Sequence, residues 1–144
     1  MLKDCIFCKI VSGEAESSII YEDPKVIAFL DIHPINPGHI LVIPKKHAEN
    51  IYDVPTKILG RITKVSQELS LKLKIVLHAE GISIFQMNEE AGNQDVMHYH
   101  MHIVPRYRDD WFHKEIMIKA IQLQQVINPK REELDSIAIK IRQI

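Results

Sequence analysis

Five short runs of apolar and β-branched residues punctuate this chain: SIIYED, VIAFLD, HILVIP, ISIFQMN and VMHYHMHIVP. Each is bounded by turn-forming residues, the mark of a strand. Asp23-Pro24 separates the first two, HPINPGH the second from the third, and EEAGN the fourth from the fifth. Between the third and fourth runs the period changes. Ile58, Leu59, Ile62, Val65, Leu69, Leu73, Val76 and Leu77 fall at three- and four-residue steps over residues 55–79. That spacing predicts an amphipathic helix of about six or seven turns. Pro55 suits its start, and Gly81 is expected to end it. A shorter helical pattern, CIFCKIVSG, precedes the first strand and stops at Gly13.

Strands joined by short turns or by a single helix pair antiparallel. The expected fold is therefore α+β: an antiparallel sheet of about five strands with one long helix packed on it. One domain is expected to span residues 1–144. Behind the last strand the pattern weakens. EIMIKAIQLQQVI reads equally as helix or strand. Asn128-Pro129 reads as a helix cap and first turn, with Leu134, Ile137 and Ile141 as a stripe for structural packing.

Composition narrows the class of function. The chain is 46% hydrophobic and 26% charged, the balance of a soluble globular protein with a core of its own. A formal net charge of −1 leaves no nucleic-acid footprint. No stretch approaches the length of a membrane span and no basic segment leads into an apolar one. The expectations are a cytoplasmic location and no membrane partner. The two cysteines, Cys5 and Cys8, are spaced C-x-x-C. A disulfide there would close a tiny loop and stabilise little. Metal binding, redox chemistry and a pair of buried thiols remain as readings.

The sharpest chemical signal is HYHMHIVPR. On a strand, residues two apart share a face, so His98, His100 and His102 line one surface while Tyr99, Met101 and Ile103 point to the other. Three readings compete. A solvated polar face is one, although Lys, Thr or Glu would serve it equally. Three ligands on one metal is another, although a closed structural zinc takes four ligands from converging elements. The third is phosphoryl chemistry. Neutral imidazole attacks phosphorus well, and neighbouring imidazoles can position it, bind phosphate oxygens and protonate a leaving group.

HYHMHIV, together with AFLDIHPINPGHILVIPKKH and IFCKI upstream, resembles the histidine triad (HIT) family of nucleotide-binding proteins. The resemblance covers roughly residues 5–107 and is nearest to bacterial members with an N-terminal C-x-x-C. It implies a hydrolase or nucleotidyl transferase that opens the α-phosphate bond of an adenosine or other purine nucleotide conjugate. The middle histidine, His100, would form a nucleotidyl-histidine, and water would release the nucleoside monophosphate. His102 would bind phosphate oxygen, His98 would orient the site, and His39 matches a further histidine beside the triad. Gln94 and Asn88 match residues that reach the phosphate, and Asp31 matches the acid that accepts the ribose hydroxyls. Ile6, Phe7, Ile10, Phe29 and Ile32 match the apolar slot around the base. The resemblance also implies a structural Zn2+ held by Cys5, Cys8, His47 and His98, and a two-fold homodimer.

Two positions depart from the family pattern. Asn93 stands where a glycine is usual, and Asp95 where serine, threonine or glutamate is usual. Serine there helps protonate the leaving group; an ionised carboxylate cannot donate, and it repels phosphate. The alternatives from other classes are a non-catalytic nucleotide-binding or scaffold protein with a structural zinc, and a zinc-storing module without nucleotide affinity.

Overall fold

The computed structural model describes residues 4–112, 115, 119 and 130–143. The chain divides into two compact units, Met1–Arg108 and Asp109–Ile144. The first begins with helix α1, Ile6–Ser12. The strands are β1 (Ile19–Glu22), β2 (Val26–Leu30), β3 (Ile40–Pro44), β4 (Gly81–Gln86) and β5 (Met101–Arg106). Helix α2, Thr56–Val76, joins β3 to β4. All four strand pairs are antiparallel, as expected, and their order is β1-β2-β3-β5-β4.

Gly13 ends α1 as the sequence predicts. It takes the left-handed conformation at φ 78°, and its N–H caps the Ile10 carbonyl. The end of α2 differs from expectation. The helix stops at Val76, before Gly81, because Leu77 N–H closes the last turn on Leu73 and His78 turns left-handed at φ 52°. Gly81 instead starts β4. The predicted helical stripe packs as expected except at one position: Ile62, Val65, Leu69 and Leu73 are buried, Ile58, Leu59 and Leu77 are partly buried against the same core, and Val76 is exposed.

The sheet is covered on both faces. Ile62, Val65, Leu69 and Leu73 of α2 cover one, packing on Val26, Ala28, Ile40, Val42, Tyr99 and Ile103. Phe7 and Ile10 of α1 cover the other, on Ile27, Phe29, Leu41 and Ile43. Strands β2 and β3 are thus buried on both sides, which is why they read as continuous apolar runs. β5 lies between β3 and β4. Tyr99 and Ile103 pack under α2, while His98 and His100 on the other face meet Phe7 of α1.

The second unit holds helix α3, Arg131–Arg142. It starts two residues after Pro129, with the Glu133 carboxylate accepting the Lys130 N–H at 3.0 Å. The stripe of Leu134, Ile137 and Ile141 does not pack as expected: all three are exposed and no residue of α3 is buried. The expectations for EIMIKAIQLQQVI and Asn128-Pro129 lie almost wholly outside the described residues.

Candidate active site and metal cluster

The strand predicted from Val96 pairs regularly only from Met101 onward. His98 and His100 stand just before it, where Tyr99 N–H bonds the Ala48 carbonyl at 2.7 Å. The alternation survives, but the face is not solvated. His98, His100 and His102 are at most 6% exposed, so the polar-surface reading fails. The three imidazoles also serve different neighbours.

His98 turns toward the cysteines. Its Nδ1 lies 3.5 Å from Cys5 Sγ and 3.7 Å from Cys8 Sγ, and His47 Nδ1 lies 3.4 Å from Cys8 Sγ. A zinc tetrahedron with bonds of about 2.3 Å to sulfur and about 2.0–2.1 Å to nitrogen has sulfur–nitrogen edges of about 3.6 Å. The four donors fit that figure. Thiol hydrogen bonds account for them less well, because one unprotonated nitrogen of His98 faces both sulfurs. Its other nitrogen, Nε2, donates to the Pro44 carbonyl at 2.8 Å, which leaves the lone pair on Nδ1. Cys5, Cys8, His47 and His98 are therefore one group that could hold a metal ion.

His100 sits between that cluster and His102. Its Nδ1 donates to the His98 carbonyl at 2.7 Å. A carbonyl only accepts, so the lone pair of the neutral ring is on Nε2. Phe7 packs edge-on against this ring at 5.4 Å. Asp95 Oδ1 lies 3.3 Å from Nε2.

His102 is set by a chain of hydrogen bonds. The Ile35 N–H donates to His39 Nδ1 at 3.2 Å, and His39 Nε2 lies 2.9 Å from His102 Nδ1. A backbone amide only donates, so neutral His39 carries its proton on Nε2 and gives it to His102 Nδ1. The remaining proton of His102 is then on Nε2. That atom is buried and has no hydrogen-bond partner among the described residues. It is a prepared donor for an anion. Phe85 stacks on the ring at 4.5 Å, directly across the β4–β5 register. His39 is held in turn by the loop before it. Gly38 takes φ 92°, and Asn36 ties that loop to the Pro105 carbonyl.

Burial favours the neutral forms of His39 and His102. His39 is pulled below the ordinary imidazole value by burial, against the pull of Asp31. Burial, then His100 and His39, bring His102 from 6.5 down to about 4. The unfolded chain therefore binds the extra proton between those values, and stability falls as pH drops from about 6.5 to about 4. At about pH 5 the loss through His102 is on the order of 2 kcal/mol. Urea unfolding at about pH 7.5 and about pH 5 should show the wild type losing that much more than His102→Asn. Equal losses in the two proteins would sink the assignment.

A cavity of about 200 Å³ opens beside these rings. Ile6, Phe7, Ile10, Phe29 and Ile32 all line it, with Asp31, His100 and His102. Phe7, Ile10 and Phe29 belong to the core as well, while Ile6 and Ile32 form an exposed rim. His39 is adjacent through Asp31, whose Oδ2 lies 3.5 Å from His39 Nδ1.

Asn88 and Gln94 are not among the lining residues, and their amides are already engaged. Asn88 Oδ1 accepts the Ile51 N–H, and its Nδ2 donates to Gln86. Gln94 Oε1 accepts the Glu89 N–H, and its Nε2 donates to the Glu49 and Val96 carbonyls. Both brace the loop that leads to β5. The lining also contains residues that sequence reasoning did not select, Glu16, Ser17, Leu30, His33, Leu41 and Val96, and it places Asp95, noted above as a departure from the family pattern, in the same wall. Leu41 was accessible in principle, since it lies opposite His102 on the same face of the sheet.

Known proteins match this arrangement. Residues 12–109 match the model of the HIT domain. The adenosine 5'-monophosphoramidase HNT1 of Candida albicans is 38% identical over 106 residues, covering 71% of this chain and 70% of that protein. A solved structure of a HIT family member from Bacillus subtilis superposes with a TM-score of 0.81 at 34% identity, covering 98% of this chain and 96% of that one. A Zn-bound histidine triad family protein from Mycobacterium smegmatis is 39% identical with a TM-score of 0.72, covering 75% and 78%. A family model that spans most of the chain, and relatives that agree with it in sequence and in fold, assign the chain to the HIT domain family.

Proposed function

We propose that the protein is a nucleotide-binding hydrolase or nucleotidyl transferase acting on the α-phosphate of purine nucleotide conjugates. The observation that carries this reading is the pairing of an accepting nitrogen with a donating one. His100 Nε2 holds a lone pair because Nδ1 is bonded to the His98 carbonyl. His102 Nε2 holds a proton without a partner among the described residues. Both rings line the same cavity.

In this mechanism His100 Nε2 attacks the α-phosphorus. A nitrogen–phosphorus bond forms, the bond to the leaving group breaks, and the leaving group departs with a proton from solvent. Water then attacks the nucleotidyl-histidine, returning the electron pair to Nε2 and giving a nucleoside monophosphate. The His102 Nε2–H stabilises the negative oxygens during both steps. His39 fixes the tautomer of His102, and His98 fixes that of His100. Asp31 accepts the ribose hydroxyls, and the Ile6, Phe7, Ile10, Phe29 and Ile32 slot takes the base. Asn88 and Gln94 act by shaping the loop before β5 rather than by touching phosphate.

Zinc on Cys5, Cys8, His47 and His98 belongs to the same proposal. It would have four protein ligands and no open position, hence a structural role: tying α1 to the strand that carries His100. The related Zn-bound protein supports it. The related monophosphoramidase supports a phosphoramidate substrate. A two-fold dimer in the cytoplasm completes the reading. Leu71, Ile75 and Val76 are exposed apolar residues of α2 available to a second copy, and no helix among the described residues is long and apolar enough to cross a membrane.

The test is intact-protein mass spectrometry after brief incubation with adenosine 5'-phosphoramidate and a quench without acid. The expected result is a single adenylyl adduct together with AMP release. A protein that binds AMP but forms neither adduct nor product would be the non-catalytic nucleotide-binding protein instead.

A further inference from the structure

The cavity proposed to take a phosphate has an unexpected charge. Its lining carries three carboxylates, Glu16, Asp31 and Asp95, and no lysine or arginine. Phosphate sites are ordinarily furnished with cations. Here the side-chain donors in the lining are the Ser17 hydroxyl and the imidazoles of His33 and His102. Each added negative charge on the substrate therefore meets uncompensated repulsion.

Of the three carboxylates, Asp95 is nearest the reacting atoms. Its Oδ1 lies 3.3 Å from His100 Nε2 and also accepts the Val96 N–H at 2.9 Å. An α-phosphate seated for attack must approach Nε2 at about the same distance. Asp95 therefore yields its present place when substrate binds. Its side chain is 76% exposed, so it can rotate toward solvent without disturbing the core. Its backbone, three residues before His98, keeps the carboxylate within reach of the cavity mouth. Asp31 and Glu16 lie in the same lining but make no such contact with His100.

Resting on the proposed hydrolase reading, we infer that Asp95 sets substrate class by the charge of the leaving group. The site takes nucleoside 5'-phosphoramidates whose departing amine bears a second, cationic group near the nitrogen. It discriminates against leaving groups that carry carboxylate or further phosphate. An ammonium beside the phosphorus gains the Asp95 carboxylate as partner, while an anion there is repelled by it. Dinucleoside polyphosphates are accordingly poor substrates.

The experiment compares three adenosine 5'-phosphoramidates with the same phosphorus–nitrogen bond. Their N-alkyl chains end in an ammonium, a methyl group and a carboxylate. Diadenosine tetraphosphate is the fourth substrate. The values of kcat/KM are measured for the wild type and for Asp95→Asn. The wild type should prefer the ammonium over the carboxylate conjugate by at least about tenfold, an interaction difference of about 1.4 kcal/mol. Asp95→Asn should bring that ratio to within about twofold, and added salt should compress it in the wild type. A ratio near one in the wild type, or one unchanged in Asp95→Asn, overturns this inference and leaves the hydrolase reading standing. Failure of the wild type to turn over any of the four conjugates overturns both.

Discussion

His100→Ala should lose at least about 10,000-fold in kcat on adenosine phosphoramidate, the scale seen when a covalent nucleophile is removed. No second group can take over its part. His98 presents both nitrogens elsewhere, to the Pro44 carbonyl and to the cysteines. His102 presents Nδ1 to His39, and its Nε2 carries a proton rather than a lone pair. The fold should survive. His100 is fully buried against Phe7 and His102, so truncation leaves a cavity and costs roughly 2–5 kcal/mol, less than the stability of a typical domain. AMP should still bind within a few fold. Turnover of the variant within about 100-fold of wild type would exclude His100 as the attacking group.

Loss of the metal cluster carries the second large effect. Purified protein should contain zinc at one ion per chain, and Cys8→Ser should contain none. Closed zinc sites contribute folding energy outright, so the variant should lose several kcal/mol and melt many degrees lower. The damage should be local at first. α1 is seven residues long, too short to persist alone, and is held by Cys5 and Cys8 and by the packing of Phe7 and Ile10. Amide exchange in α1 should accelerate before exchange in β3 or β5. Turnover should fall with it, because Phe7 buttresses the ring of His100. A wild type without zinc, or a variant melting with the wild type, would leave the cysteines as thiols or a redox pair.

The strands and the long helix were legible because their periods are set by packing on a single sheet. The buried runs of β2 and β3 and the stripe through Ile62, Val65 and Leu69 could hardly be read otherwise. The end of α2 was not legible. It depends on His78 accepting a left-handed backbone, whereas glycine was the natural expectation. The histidine face was readable from alternation, and the resemblance pointed to the partners of its members. How the protons are distributed was hidden, since it hinges on the Ile35 amide and the His98 and Pro44 carbonyls. Gln94 and Asn88 mark a different limit: a side-chain amide can bind a ligand or brace a loop with the same atoms, and the bracing partners here, the Ile51 and Glu89 amides and the Glu49 and Val96 carbonyls, have no signature in the sequence. Glu16, Ser17 and Val96 reach the cavity from loops whose paths no local pattern encodes.

The strand that carries the histidines has a further consequence for how such a protein changes over generations. Tyr99 and Ile103 on one side of it are fully committed to the interior, and His100 and His102 alternate with them along the same few residues. A lineage cannot drift in that segment without risking the whole fold. Glu16, His33, Asp95 and Val96, exposed or half-buried in the loops between elements, carry no such burden, yet they supply part of the cavity wall. Substitutions at these four positions can thereby alter the choice of substrate while the reacting histidines stay in place.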